Sequence, residues 1–295
     1  MTAVATHRRA SSRRRVSPAA RKSRVGTVAV HIAAAVFFVM AIFPVYWMVA
    51  TSFKLEGDIQ RSNPKWLPFP GTVQHFVDAL HKPMFWTYAR NSMIAAGSTV
   101  LISIVIAFLA ATAVARFKFY GRRFFLALLI TTQMVPLTAL AIPLYLSLRS
   151  FHLLNQMPGL IMAYAAFVLP FTVWTLRGFI QGIPVDLEEA AMVDGCSRLQ
   201  AFRRILLPLI LPGLIATAVF AFIQAWNDYL FPLVLMQHND NYTMTVWLAS
   251  FSTNRGNDFG GLMAASTLFS LPVVVLFMIV QRKVVSGLTA GAVKG

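Results

Sequence analysis

The sequence predicts an all-α, polytopic membrane protein with six transmembrane helices, and three observations carry that prediction. Of its 295 residues, 57% are hydrophobic and only 12% charged, about half the charged share of a soluble globular domain. A mean hydropathy of +0.65 points to lipid as the solvent. Six stretches are apolar for long enough to cross a bilayer, which takes about 20 residues because a helix rising about 1.5 Å per residue must span about 30 Å of hydrocarbon.

The six stretches follow in chain order. Residues 25–50 carry no charge and end near Tyr46 and Trp47, an aromatic pair suited to a membrane interface. Residues 93–115 are uncharged. Residues 124–148 are uncharged too, but contain Gln133, Pro136 and Pro143. Residues 157–176 carry Pro158 at their start and stop at Arg177. Residues 205–236 exceed one crossing and hold a single acid, Asp228. Residues 260–280 precede Arg282 and Lys283. No soluble domain fits between them, so the chain divides into a basic segment 1–24, a transmembrane domain 25–282 and a short tail 283–295.

The formal net charge of +16 raises the question of a nucleic-acid partner. Placement answers it: nineteen of the 26 basic residues fall before span 1, between spans 2 and 3, between spans 4 and 5, or in the tail. Under the positive-inside rule that places both termini in the cytoplasm. The eight basic residues of segment 1–24 abut a span and include no aromatic residue, which favours a topology anchor meeting anionic lipid over a nucleic-acid arm. A cleaved signal peptide is disfavoured, because 26 apolar residues exceed the usual signal core of about 7–15.

One loop carries a design. Residues 181–208 read QGIPVDLEEAAMVDGCSRLQAFRRILLP. Asp186 and Glu189 have the spacing of a capping box, opening a two-turn helix with Leu187, Ala190 and Ala191 on one face. Gly195 suits the left-handed stop, since it has no Cβ to clash. Ser197 and Gln200 form a second capping-box pattern before a helix that leads into span 5. The expectation is a helix, a glycine turn and a helix at the membrane face.

Glu189-Ala190-Ala191, Gly195, Ile205 and Leu207-Pro208 match E-A-A-x3-G-x9-I-x-L-P at every position. The chain thereby resembles the permeases of ATP-binding-cassette (ABC) importers, whose EAA loop has this pattern. The tail from Ser286 to Gly295 and the string Ala225-Trp-Asn-Asp-Tyr229 look like the carbohydrate branch, in particular its maltose-type "G" subunit. The resemblance implies that Glu189, Ala190, Ala191 and Gly195, with Ile205, Leu207 and Pro208 behind them, form the element that docks in a cleft of a separate ATPase. It implies that tail residues Gly287, Gly291, Lys294 and Gly295 reach the ATPase dimer, the alternative being a frayed terminus. The implied partners are two ATPase subunits, a homologous "F"-type permease, an extracytoplasmic sugar-binding protein and the lipid of a bacterial cytoplasmic membrane.

The residues themselves argue against catalysis. The sequence has no G-x-x-x-x-G-K-[ST] motif, so ATP and its Mg²⁺ belong on a partner and no cofactor is expected on this chain. There is no H-E-x-x-H or G-x-S-x-G motif, and the six histidines lack ligand spacing. The single cysteine, Cys196, excludes an intramolecular disulfide.

Asp228 is the sharpest feature within the spans. An ionisable group at membrane depth usually faces a cavity or a partner. Gln224, Asn227 and Asp228 share one helix face beside Trp226 and Tyr229, a set able to hydrogen-bond and stack on a sugar. The alternative is that Asp228 caps a helix break before Pro232 or pairs with a partner subunit. Gln133 beside Pro136 is a second candidate for the solute path, or a helix-packing residue. The absence of cations in the spans favours a neutral solute over glycerol-phosphate. A secondary transporter would instead require intramembrane charge pairs or inverted repeats, which are not visible.

Overall fold

A computed structural model describes the backbone of residues 18–253 and 256–292 and the side chains of residues 26–252 and 256–281. Helices dominate: α1 (Pro18–Ser52), α2 (Glu56–Ile59), α3 (Gln74–His81), α4 (Phe85–Arg116), α5 (Arg122–Gln133), α6 (Leu137–Ser150) and α7 (Met157–Gln181) come first. Then follow α8 (Asp186–Val193), α9 (Arg198–Ala201), a π turn (Phe202–Leu206), α10 (Leu207–Asn227), α11 (Leu230–Leu235), α12 (Met244–Ala249) and α13 (Phe259–Ala292). Ser252–Thr253 and Gly256–Asn257 pair as a two-rung antiparallel ribbon.

The centre of the bundle is the pair α4 and α7, with α10 packed on both. Small side chains are buried along both: Ala95, Ala96, Thr99, Ser103, Ala107 and Ala111 of α4, and Ala163 and Ala165 of α7. In lipid, where hydrophobicity does not drive helices together, small residues let backbones approach and gain dispersion contact. Larger apolar residues fill the flanks, among them Phe108, Leu176, Ile180, Leu206 and Ile210 towards one end. Tyr164, Trp226, Phe231 and Leu235 fill the other. α1 packs on α13 and leaves its side chains from Gly26 to Tyr46 exposed.

Among the described residues five helices are long and apolar enough to cross a membrane, and the bent pair of α5 and α6 makes a sixth crossing if counted as one. The span expected over 124–148 is this bent pair. α5 and α6 meet at 105° across Pro136, which lacks an N–H and disfavours a helical conformation in the residue before it. The expected span 205–236 is corrected. Its helix ends at Asn227 and restarts at Leu230 as the short α11. At its other end it begins before Ile205, since Arg198–Asn227 run as one helical span of 30 residues. The π turn within that run closes with the Leu207 N–H donating to Phe202 O. Pro208 cannot supply the next ordinary α bond, and one wider turn passes the gap.

Residues 53–84, between α1 and α4, fold over the end of the bundle remote from α8. Asp58 accepts from Lys65 at 2.6 Å and pairs with Arg61 at 3.2 Å. The buried Lys54 ammonium lies 3.7 Å from the Trp47 ring centre. His75 Nε2 bonds Lys54 O at 2.9 Å and is packed against Gly260 of α13.

Candidate functional site

The loop with the EAA pattern folds as a helical hairpin. α8 ends in an αL glycine: Gly195 has φ +89°, its N–H donates to Met192 O at 3.1 Å, and the Cys196 N–H donates to Ala191 O at 2.9 Å. These two bonds are a Schellman stop, which returns carbonyls left over at the helix end to hydrogen bonding. The Ser197 capping box is present in full, with Gln200 N donating to Ser197 Oγ and Ser197 N to Gln200 Oε1. The Asp186 capping box is not. Val185, just after Pro184, is already helical at φ −66°, ψ −31°, so Asp186 sits one position inside the helix and makes no cap bond. It joins Glu188 and Glu189 as three acids in the first turn, where the positive end of the helix dipole favours them.

The adjacent glutamates diverge. Glu188 turns inward: Arg116 Nε, at the last residue of α4, lies 2.8 Å from Glu188 Oε1, and Arg116 Nη2 donates to Ile183 O at 3.0 Å. Glu189 is exposed and makes no hydrogen bond or ion pair among the described residues. Around it Leu187, Met192 and Val193 are exposed, Val193 at 87%, while Ala191 is buried and Ala190 exposed. The expected common face of Leu187, Ala190 and Ala191 is therefore split between interior and surface. Glu188, Glu189, Met192, Arg116, Arg198 and Phe202 line a cavity of about 340 Å³ between the hairpin and the end of α4. The hairpin is further fixed by Phe202, which stacks on Phe108 at 5.0 Å. Ile205, Leu207 and Pro208 lie behind it at the root of α10.

At the other end of α10, Gln224, Asn227 and Asp228 line a single cavity of about 210 Å³ with Tyr164, Phe167 and Phe231. Asp228 also caps: its Oδ2 accepts from the Phe231 N–H at 3.0 Å, across the break before Pro232, and its carbonyl accepts from Thr245 Oγ1 at 2.7 Å. Gln133 lies in an adjoining cavity of about 230 Å³ that shares Phe167 and Phe231. Trp226 does not take part. It is buried, stacked between Phe222 and Phe269, with Nε1 donating to Phe269 O at 3.1 Å. The aromatic wall consists of Tyr164, Phe167 and Phe231 instead.

Three residues here escape sequence reasoning. Arg116 and Glu188 stand 72 positions apart, and nothing local links them. Tyr164 is buried with its hydroxyl unpaired among the described residues; its only sequence signal is a phenol inside an apolar span. Of the tail candidates, Gly287 and Gly291 fall in the last turns of α13, whereas Lys294 and Gly295 lie outside the described residues. Among the described residues no group of three or more His, Cys, Asp or Glu could hold a metal.

With this geometry in view, the chain can be set beside known proteins. Residues 103–289, more than half of the chain, match the family described as "Binding-protein-dependent transport system inner membrane component". The diacetylchitobiose uptake system permease protein DasC of Streptomyces coelicolor is 46% identical, over 93% of this chain and 100% of that protein. The trehalose transport system permease protein SugB of Mycobacterium tuberculosis is 35% identical, over 86% of this chain and 93% of its own length. A crystal structure of a bacterial ABC transporter that imports the acidic polysaccharide alginate has a chain of the same fold. Its TM-score is 0.75 at 21% identity, covering 89% of this chain and 97% of that one.

Proposed function

The chain belongs to the family of binding-protein-dependent transport system inner membrane components, and on that premise we propose that it is the permease subunit of an ATP-driven importer for a neutral di- or oligosaccharide. One observation carries this reading. The run Arg198–Asn227 is a single helical span of 30 residues, about 45 Å long at 1.5 Å per residue. Its lower end is the EAA hairpin and its upper end is the cavity wall of Gln224, Asn227 and Asp228.

A movement of the hairpin is therefore a movement of the cavity wall. Two ATPase subunits closing on ATP and Mg²⁺ would grip the exposed Glu189, Leu187 and Val193 here and the equivalent loop of a homologous "F"-type permease. The continuous helix carries that displacement to the break at Asp228, re-aiming the polar lining from one side of the membrane to the other. In this arrangement both termini and the hairpin face the cytoplasm, where most of the basic residues lie, and a binding protein delivers solute at the opposite end.

The solute class follows from the lining. Two amides and one carboxylate can pair with hydroxyl groups, the rings of Tyr164, Phe167 and Phe231 supply apolar faces, and neither cavity has a cation to balance a phosphate. The relatives named for diacetylchitobiose and trehalose support the same class. The test is uptake by proteoliposomes containing the complete transporter, with binding protein outside and ATP inside, across a panel of disaccharides and glycerol 3-phosphate. ATP-dependent accumulation of a disaccharide is expected. Accumulation without ATP, or preference for glycerol 3-phosphate, overturns the reading.

A further inference from the structure

The connection between α4 and α5, taken with the first turn of α5, enters the reading above only through its charge. It reads Phe117-Lys-Phe-Tyr-Gly-Arg-Arg-Phe124, and residues 118–124 line an open concavity of about 630 Å³ by themselves. Its aromatic rings stand outward: Phe117 is 52% exposed, Phe124 is 74% exposed and Tyr120 wholly so. Lys118, Arg122 and Arg123 make no ion pair among the described residues, and the segment contains no acid. Arg116, one residue before it, is already committed to Glu188. Three uncompensated cations are thus interleaved with exposed rings.

The surface continues up the bundle. Phe124 and Leu128 lie one turn apart on α5, and Leu128 is also exposed. An occupant that reaches both the cations and these side chains must be anionic at one end and apolar at the other. Rings at headgroup depth beside basic residues are the usual chemistry of a membrane interface facing anionic lipid. We propose that the α4–α5 connection is a headgroup site for an anionic phospholipid of the leaflet on the EAA-hairpin side, with Lys118, Arg122 and Arg123 on the phosphate and Phe124 and Leu128 along the chain. The nearby Arg116–Glu188 pair would place this lipid two residues from the strut that holds the hairpin.

The test uses the full chain in nanodiscs of phosphatidylcholine and phosphatidylglycerol in equal parts, with retained lipid counted by native mass spectrometry. Wild-type protein should retain phosphatidylglycerol about fivefold over phosphatidylcholine, and 0.5 M NaCl should erode the preference, as expected for a charge-driven contact. The variant K118Q/R122Q/R123Q should bring the ratio to about one. Equal retention of the two lipids by wild-type protein overturns the proposal. So does a preference that survives the triple substitution, or one removed by free glycerol 3-phosphate at millimolar concentration, which would indicate a phosphate site indifferent to the lipid chain. If the triple variant does not insert, K118R/R122K/R123K, which keeps the charge, serves with the wild-type salt series, and loss of the preference in that variant also overturns it.

Discussion

Arg116, the last residue of α4, holds Glu188 in the first turn of the EAA hairpin through a 2.8 Å ion pair in which the side chains are 9% and 17% exposed. The same guanidinium binds Ile183 O, so one side chain fixes the hairpin to the central helix pair of the bundle at two points. Charge-assisted bonds of this kind are geometrically demanding and little screened when water is mostly excluded.

Glu188→Gln should weaken the strut without removing the hairpin. We expect a loss of about 1–3 kcal/mol in the local stability of α8, the range for a charged hydrogen bond left unmatched. Hydrogen exchange of the α8 amides in detergent or nanodiscs checks it. Exchange equal to wild type would show that the pair does not hold the hairpin.

Glu189→Lys should behave differently, because Glu189 is exposed and unpaired among the described residues. Exchange at α8 and insertion should remain as in wild type, while ATP-dependent uptake falls at least tenfold. Unchanged uptake would remove Glu189 from the docking surface.

This contrast shows what a linear sequence can and cannot disclose. The motif at Glu189 is a local string, and the αL stop at Gly195 and the Ser197 capping box are local too, their residue types dictated by the backbone they serve. The assignment of inward and outward roles to Glu188 and Glu189 is not local, because it depends on Arg116, distant in the chain. The bend at Pro136 escaped for a related reason. A proline within an apolar run can kink a span or break it, and packing of α5 and α6 on different neighbours decides. Trp226 reads as a stacking platform beside Asp228, yet it occupies core space between Phe222 and Phe269. Period 3.6 gives the face of a helix but not which face is hollow.

Tyr164→Phe separates packing from recognition. It deletes a buried hydroxyl with no partner among the described residues, so protein stability should be unchanged or higher by up to about 1–3 kcal/mol. If the hydroxyl meets the transported solute, the KM for uptake should rise several-fold with little change in ATPase activity without solute. Thermal unfolding and uptake kinetics on one preparation check both halves.

Asp228→Ala removes the acceptor for the Phe231 N–H and should cost about 1 kcal/mol through the lost cap. Asp228→Asn keeps a capping oxygen and should restore that stability. Uptake lost in both variants would assign the carboxylate to the solute path, whereas uptake restored by Asn would limit Asp228 to capping. Melting midpoints and initial uptake rates distinguish the outcomes.

Gly260→Ala tests a close approach at the remote end. A Cβ there would overlap the His75 imidazole, which Lys54 O holds at 2.9 Å. Overpacking of this kind costs about 1–3 kcal/mol. His75→Ala in the same chain should recover most of the loss, a coupling that a double-mutant cycle reads directly. Additive losses would show that the two residues do not compete for space.

Acid titration tests the fold over the remote end through Asp58. Its hydrogen bond from Lys65 holds the carboxyl below its ordinary value of 3.8, and the charges of Lys65, Arg61 and Lys54 act in the same direction. A carboxyl lowered in the folded state binds its proton more weakly there than in the unfolded chain. Its contribution is therefore complete above the ordinary value and is lost as pH falls through the lowered folded value. Wild type and Asp58→Asn should differ by a constant amount in unfolding midpoint above about pH 5 and converge below about pH 4. Added salt should narrow the plateau difference, because Arg61 and Lys65 are partly exposed and such pairs are screened. A difference that persists undiminished at pH 2.5 would show that the asparagine acts through packing and not through the lost charge.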